Sequence, residues 1–552
     1  MCRSSSLTIP IKKDNRTLFF FFSQRQYEST MVNACKCLSL LLAAATVAHG
    51  AQSALLRGNI IESNVSPHRV VVCRVTVIAS MYWDEQKGRV QSKQAAGCIP
   101  IVNGTDSHLL LSIDLPSRIT NAYSSEIHQG ALFLRVDGAT MADDALQVSD
   151  QTTFQVLDPA PVGRQLQQLT TKGKMTVLVV RVTTLDGVSP DYSLDEMRSR
   201  IFGSGIGMRS QFAACSFGQL MMEDTGGMDV IVPNNMSHYS SGAMLVNDAE
   251  QVILDTVGRA SYEIADKVMF CQPPGTGNWI ANAGVNYYRS NYNNEWCLSL
   301  SADMHEMGHC LGMLHSGEGN DPYEDQTGYM GYGEPQQDSP LKCYNGYKNH
   351  LFGWYQRREV TVDPNQSNLI ELATFVDFDK TTENQPVLLN IGNQYFIQYN
   401  RAKLFNIETT DKRDAVTITE NTPGWSHVRA GLLLDEEWTV GNYAGTGRTL
   451  VVKVCQQIMS TNDADSMIVS IGLDTSYCAT TEPTSRPTSA PTPSPTKAPT
   501  TQPTAAPSAS PTSVDLLAPS AAPSEFPTQV DSYAPSSLGK CTCIEDGSVH
   551  FL

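Results

Sequence analysis

Between Lys174 and Asp266 the apolar positions fall into blocks of two different periods. Val177–Val182 is apolar except for Arg181, the pattern of a strand covered on both faces. Ser193-Leu194-Asp195-Glu196 then places a hydroxyl three residues before a carboxylate, a capping box that predicts a helix running toward Ile201. A second strand is predicted at Met228–Val232 and a long helical stretch at Met244–Asp266. Alternation of this kind predicts an α/β domain. The preceding residues, 51–165, carry alternating or apolar β-type runs such as Arg69–Ser80 and Leu109–Ile113, and end in Asp158-Pro159-Ala160-Pro161. They read as a separate, small β-rich unit. After Trp354 strands return, at Glu359–Val362, Gln394–Tyr399, Ala415–Thr419, Leu450–Val454 and Met467–Leu473, and predict a β-sandwich-like domain ending near Cys478.

Composition changes abruptly after Cys478. Residues 479–540 hold 13 of the 29 prolines among Thr, Ser and Ala, a segment that buries no core and reads equally as an O-glycosylated stalk or a plain linker. At the other end, Leu38–Ala48 is apolar, follows Lys36 and leads into Ala48-His49-Gly50, the anatomy of a secretory signal peptide with cleavage near Gly50–Ala51. It starts from an internal methionine, and the thirty residues before it are either an upstream-start artefact or an unusual leader. The expected division is 1–50 leader and signal peptide, 51–171 β-rich unit and 172–358 α/β domain. A C-terminal β-rich domain at 359–478, the stalk at 479–540 and a cysteine-containing end at 541–552 complete it.

Charge and cysteine usage narrow the class. A formal net charge of −17 offers no basic footprint, which excludes a nucleic-acid partner, and no apolar run is long enough to span a bilayer. Of 14 cysteines, eleven lie after the proposed cleavage point and read as disulfides of an exported protein, with one thiol left over. Sequons at Asn64, Asn103, Asn235 and Asn365 agree with export.

The chemistry sits in His305-Glu306-Met307-Gly308-His309-Cys310-Leu311-Gly312-Met313-Leu314-His315, which matches H-E-x-x-H-x-x-G-x-x-H at every fixed position. Four residues apart on a helix, His305 and His309 can present two imidazoles to one ion. Gly312 can take the left-handed conformation that ends the helix, so that the reversed chain returns His315 as a third ligand. Three neutral ligands leave a fourth position open, as a catalytic zinc site requires. Glu306 is then placed beside the Zn²⁺ as a base. Cys310 points about 100° round the helix from His309 and is assigned to a disulfide. Met330, in Gly328-Tyr329-Met330-Gly331-Tyr332-Gly333, is the candidate Met-turn, and Tyr332 either packs or approaches the metal. The acidic stretch Glu318–Asp325 reads as a solvated loop.

These residues, together with Cys215-Ser216-Phe217-Gly218, Cys343-Tyr344-Asn345, Gly353-Trp354 and Gln394–Tyr399, make residues 172–475 resemble the gametolysin family of metzincins. The resemblance implies an α/β metzincin-like catalytic domain and a secreted zinc endopeptidase with a propeptide. It further implies protein substrates, extracellular or cell-wall glycoproteins, and wall association through the stalk. On the chemistry of the motif, zinc and Glu306 activate water, and the substrate lies extended along an edge strand at Asn278–Val285. The unit 51–165 is expected to be inhibitory, with release between Asp158 and Lys174. Either a Cys98 or Cys73 thiolate on the metal holds it latent, or the two cysteines form a disulfide and inhibition is steric. A rival from another class is a wall-binding protein that keeps a zinc site without turnover.

Overall fold

The computed structural model describes residues 69–86, 89–102, 105–142, 144–157, 170–331, 340–422 and 425–478, with two short segments at 11–13 and 16–18. The expected signal peptide, residues 158–169 of the release segment, the stalk and C-terminal end, and Tyr332, lie outside the described residues.

The N-terminal unit contains β1 (Arg69–Asp84), β2 (Arg89–Val102), β3 (Leu111–Ile113), helices α1 (Ser117–Ala122) and α2 (Ser124–Gln129), β4 (Leu132–Ala142), β5 (Ala145–Gln147) and β6 (Thr153–Leu157). β1 pairs with β2, β2 with β3, β3 with β5, β5 with β4, and β4 returns to β1, which closes a small barrel. Its interior holds Val75, Leu111, Leu134 and Val136, and a disulfide joins Cys73 to Cys98 across β1 and β2.

The following domain is built on β7 (Gly173–Thr183), α3 (Leu194–Phe202), α4 (Met208–Cys215), β8 (Leu220–Ile231), α5 (Gly242–Val257), β9 (Lys267–Gln272), β10 (Trp279–Gly284), β11 (Arg289–Asn293) and α6 (Leu300–Cys310). The strands lie in the order β8-β7-β9-β11-β10; the first four are parallel and β10 is antiparallel to β11. β7 has both faces covered, with Val177 and Val179 against one apolar cluster and Leu178, Val180 and Val182 against another, which explains its unbroken apolar run. The Ser193 hydroxyl accepts from Glu196 N and the Glu196 carboxylate from Ser193 N, so α3 begins with the capping box. The helical stretch from Met244 is shorter than its sequence suggests. Gly258, with φ +74°, takes the left-handed cap that ends α5 at Val257, and the chain continues through a 3-10 turn at Ser261–Glu263.

The N-terminal unit is not separate. β1 continues past the barrel and pairs antiparallel with β10, from Ile78 opposite Gly284 to Tyr82 opposite Trp279, so one sheet runs through both units.

After β12 (Ser316–Glu318) and α7 (Gly346–Phe352), nine strands form the C-terminal domain: β13 (Glu359–Thr361), β14 (Asn368–Ala373), β15 (Leu388–Ile391), β16 (Tyr395–Asn400), β17 (Ala415–Thr422), β18 (Trp425–Leu432), β19 (Glu437–Val440), β20 (Leu450–Ile458) and β21 (Ser466–Leu473). One sheet runs β12-β18-β17-β16-β15-β13 and the other β14-β21-β20-β19, and they share a core that includes Ile397, Ile418, Val452 and Val469. Disulfides join Cys215 to Cys343, Cys271 to Cys297 and Cys455 to Cys478.

Candidate active site

Helix α6 carries the first two histidines and is fixed at both ends. Ser299 caps its start by accepting from Ala302 N. At its end Gly312, φ +86°, donates to His309 O, and Met313 N donates to Gly308 O. Lys267 Nζ reaches Cys310 O at 2.7 Å and Asn286 N reaches His309 O at 2.9 Å, satisfying carbonyls that the helix leaves open. The chain turns back over Gly312 and returns His315 to the same point.

His305, His309 and His315 are buried and offer ligand atoms that all lie within 4.8 Å of one another. His309 Nε2 stands 3.0 Å from His305 Nε2 and 3.1 Å from His315 Nε2. Tetrahedral ligands at about 2.0–2.1 Å from zinc would sit roughly 3.3 Å apart, so this spacing fits such an ion. For two of the rings the far side sets the tautomer. His305 Nδ1 donates to Tyr329 O at 2.6 Å and His309 Nδ1 to Met313 O at 2.7 Å, which leaves the Nε2 lone pairs free to bind. Burial pushes His305 down to about 4 and keeps His309 and His315 well below the usual histidine range, so the rings are neutral at pH 7.

Glu306 is wholly buried, and neither carboxylate oxygen has a hydrogen-bond partner among the described residues. Burial raises its pKa well above the ordinary carboxylate value. An orphaned acid beside three neutral imidazoles is a costly arrangement in an apolar core, and a cation at the triad would offset that cost. Chemically and geometrically, the donor set fits a zinc ion.

Met330 lies under the helix. A Cβ on Gly308 would stand 2.4 Å from Met330 Sδ, so only glycine lets the thioether approach this closely. Ser316 N donates to Met330 O, tying the strand after the third histidine to this turn. Tyr344 Oη donates to Met304 O at 2.8 Å and braces the helix from the same side.

Residues 174–376 match the family model of gametolysin peptidase M11. We assign this segment to that family. Residues 482–516 match a second model, described as PT disordered repeat. No curated protein matches the chain.

The M11 domain gives structural roles to other residues singled out by the resemblance. Asn345 caps α7 by accepting from Lys348 N, and Gly353, φ +69°, ends that helix. Cys215 and Cys343 fasten α4 to the segment before α7. Two expectations are corrected. Among the described residues Cys310 is a free, buried thiol with no disulfide partner, packed in the apolar core against which α6 lies. Nor is the stretch 318–325 simply a solvated loop. Asp325 is buried and accepts from Ser316, Thr327 and Asn345, while Glu318 pairs with Lys412. The Cys73–Cys98 disulfide leaves neither sulfur free to reach a metal.

Three further residues around the M11 site give no sequence signal: Tyr323 returns from the irregular turn after His315, and Trp425 and Gln94 arrive from distant segments. The Tyr323 ring lies 4.8 Å from the His315 ring and 5.6 Å from that of His305. Trp425 of β18 covers His315 at 5.8 Å. Gln94 of β2 places its carboxamide 3.3 Å from His315 Nδ1.

Proposed function

We propose that this protein is a secreted zinc endopeptidase of the metzincin type that hydrolyses extracellular or cell-wall glycoproteins. The observation that carries this reading is the buried convergence of three neutral imidazoles beside the unpartnered carboxylate of Glu306. The sheet order β8-β7-β9-β11-β10, with its antiparallel last strand above the site helix, supports the metzincin assignment.

Zinc, when bound at the triad, supplies Lewis acidity to water and to the scissile carbonyl. His305, His309 and His315 would hold it through Nε2, with His305 and His309 oriented by Tyr329 O and Met313 O. Glu306 accepts the proton of the attacking water and delivers it to the leaving amine. No side chain bonds covalently to the substrate, whose extended backbone pairs with β10. A purely structural or adhesive zinc site has no use for a buried base at this position, which weighs against a wall-binding protein without turnover.

The test is metal analysis of purified protein joined to proteolysis. One zinc per chain is expected, and chain nicked between the N-terminal unit and β7 should cleave a denatured protein, lose that activity on chelation and regain it on adding zinc. His309→Ala should bind no zinc. A chain that cleaves equally well after complete metal removal would overturn the proposal.

A further inference from the structure

Strand β1 changes partner half-way along its length. Arg69–Val75 pairs with β4 and closes the N-terminal barrel, whereas Ile78–Tyr82 leaves the barrel and pairs with β10. β2 follows β1 along most of its length, from Cys73 opposite Pro100 to Asp84 opposite Arg89, so the two form an arm that reaches out over the M11 domain. The arm is seated by both apolar and polar contacts. Met81 and Val90 are buried in the same cluster as Met304, Met307 and Met330. Arg89 bridges two carboxylates of the segment after the third histidine, Glu324 at 2.6 Å and Asp321 at 3.1 Å, and Gln94 touches His315.

An antiparallel strand on β10 satisfies the backbone groups that an extended substrate would need, and two strands cannot occupy one edge. We propose that the β1–β2 arm is a strand-competing inhibitor: Ile78–Tyr82 occupies the substrate's place on β10, and Arg89 is the latch that holds it there. The inference rests on the endopeptidase reading above. It assigns latency to competition for a sheet edge and requires no thiolate on the metal, in keeping with the Cys73–Cys98 disulfide. The latch suits a contact that must open. Arg89 and its partners keep about a third of their surface in water (33%, 33% and 36%), where ion pairs are weak and easily reversed.

The experiment uses the zinc-loaded full chain and two readouts: hydrolysis of a short quenched peptide, and amide hydrogen exchange over residues 279–284. Exchange is followed in a Glu306→Ala background so that self-cleavage does not interfere. Arg89→Glu places a third carboxylate opposite Asp321 and Glu324. It should raise both peptide hydrolysis by the un-nicked chain and exchange in β10 by about tenfold, with β7 and β9 unchanged. Adding Glu324→Arg should return both values toward wild type. If Arg89→Glu does not fold, Arg89→Ala, which removes both ion pairs without adding a like charge, tests the same latch with a smaller rise in both readouts. Unchanged β10 exchange in the folded variants would overturn the proposal. So would faster exchange without hydrolysis while chain nicked between the N-terminal unit and β7 is active, or equal hydrolysis by intact and nicked wild type. If neither intact nor nicked chain hydrolyses the peptide, the endopeptidase reading fails, and the exchange data alone decide whether the arm guards β10.

Discussion

His305 holds its Nδ1 proton on Tyr329 O and turns its Nε2 inward, and its buried ring has a pKa lowered to about 4. The sign of the consequence follows from linkage. The unfolded chain takes up a proton near pH 6.5 and the folded ring only near pH 4, so between those values the unfolded state binds more protons. Metal-free protein should therefore be fully stabilised above pH 6.5 and lose stability as the pH falls toward 4. His305→Ala should make the melting temperature fall less steeply across that window, with His309 and His315 supplying the slope that remains, and an unaltered slope would show that this ring is not held neutral. At this scale the histidines and Glu306 were legible because a helix repeats its face every four residues, and that period alone brings His305 and His309 together. Trp425 and Gln94 were not, because each meets His315 through folding of remote segments, and Tyr323 was not because the irregular turn that brings it back onto His315 has no period to record the meeting.

The helix and the turn beneath it form the next level. Gly331 has no room for a side chain: a Cβ there would stand 1.6 Å from Asp325 O, a backbone atom held in the buried Asp325 network. Gly331→Ala should displace the turn, pull Tyr329 O from His305 Nδ1 and lower both melting temperature and zinc affinity. Met330→Ala should cost about 2–5 kcal/mol by leaving a cavity under α6, whereas Met330→Leu should cost less than about 1.5 kcal/mol. Denaturant unfolding of the two variants checks the difference, and equal costs would contradict the packing role. Elements with strong local signals, such as the α3 capping box and the apolar run of β7, were legible in the sequence. The end of α5 was not, since the apolar pattern continues past Gly258 even though that residue's left-handed conformation stops the helix. The disulfide expected for Cys310 failed for a related reason. Cysteine pairing depends on which surfaces meet, and sequence position alone does not show that.

Across the whole molecule, the largest feature that the sequence did not reveal is the continuity of one sheet through the N-terminal unit and the M11 domain. Composition marks the two units as separate because the Pro-Ala-Pro segment divides them, while β1 joins them by backbone hydrogen bonds that are indifferent to side-chain identity. Long-range covalent ties support this arrangement. The Cys215–Cys343 bridge spans 128 residues and encloses the whole metal motif. Replacing both cysteines by serine should cost about 3–5 kcal/mol in denaturant unfolding, and a loss within error of zero would contradict a stabilising role. The central claim, that Glu306 works as the base beside a zinc held by three histidines, is tested most directly by one comparison. Nicked wild type and nicked Glu306→Ala, each with its zinc content measured, are assayed on a denatured protein substrate. The account predicts equal zinc and a fall in rate of about 10²–10⁴-fold in the variant; equal rates at equal zinc would contradict it.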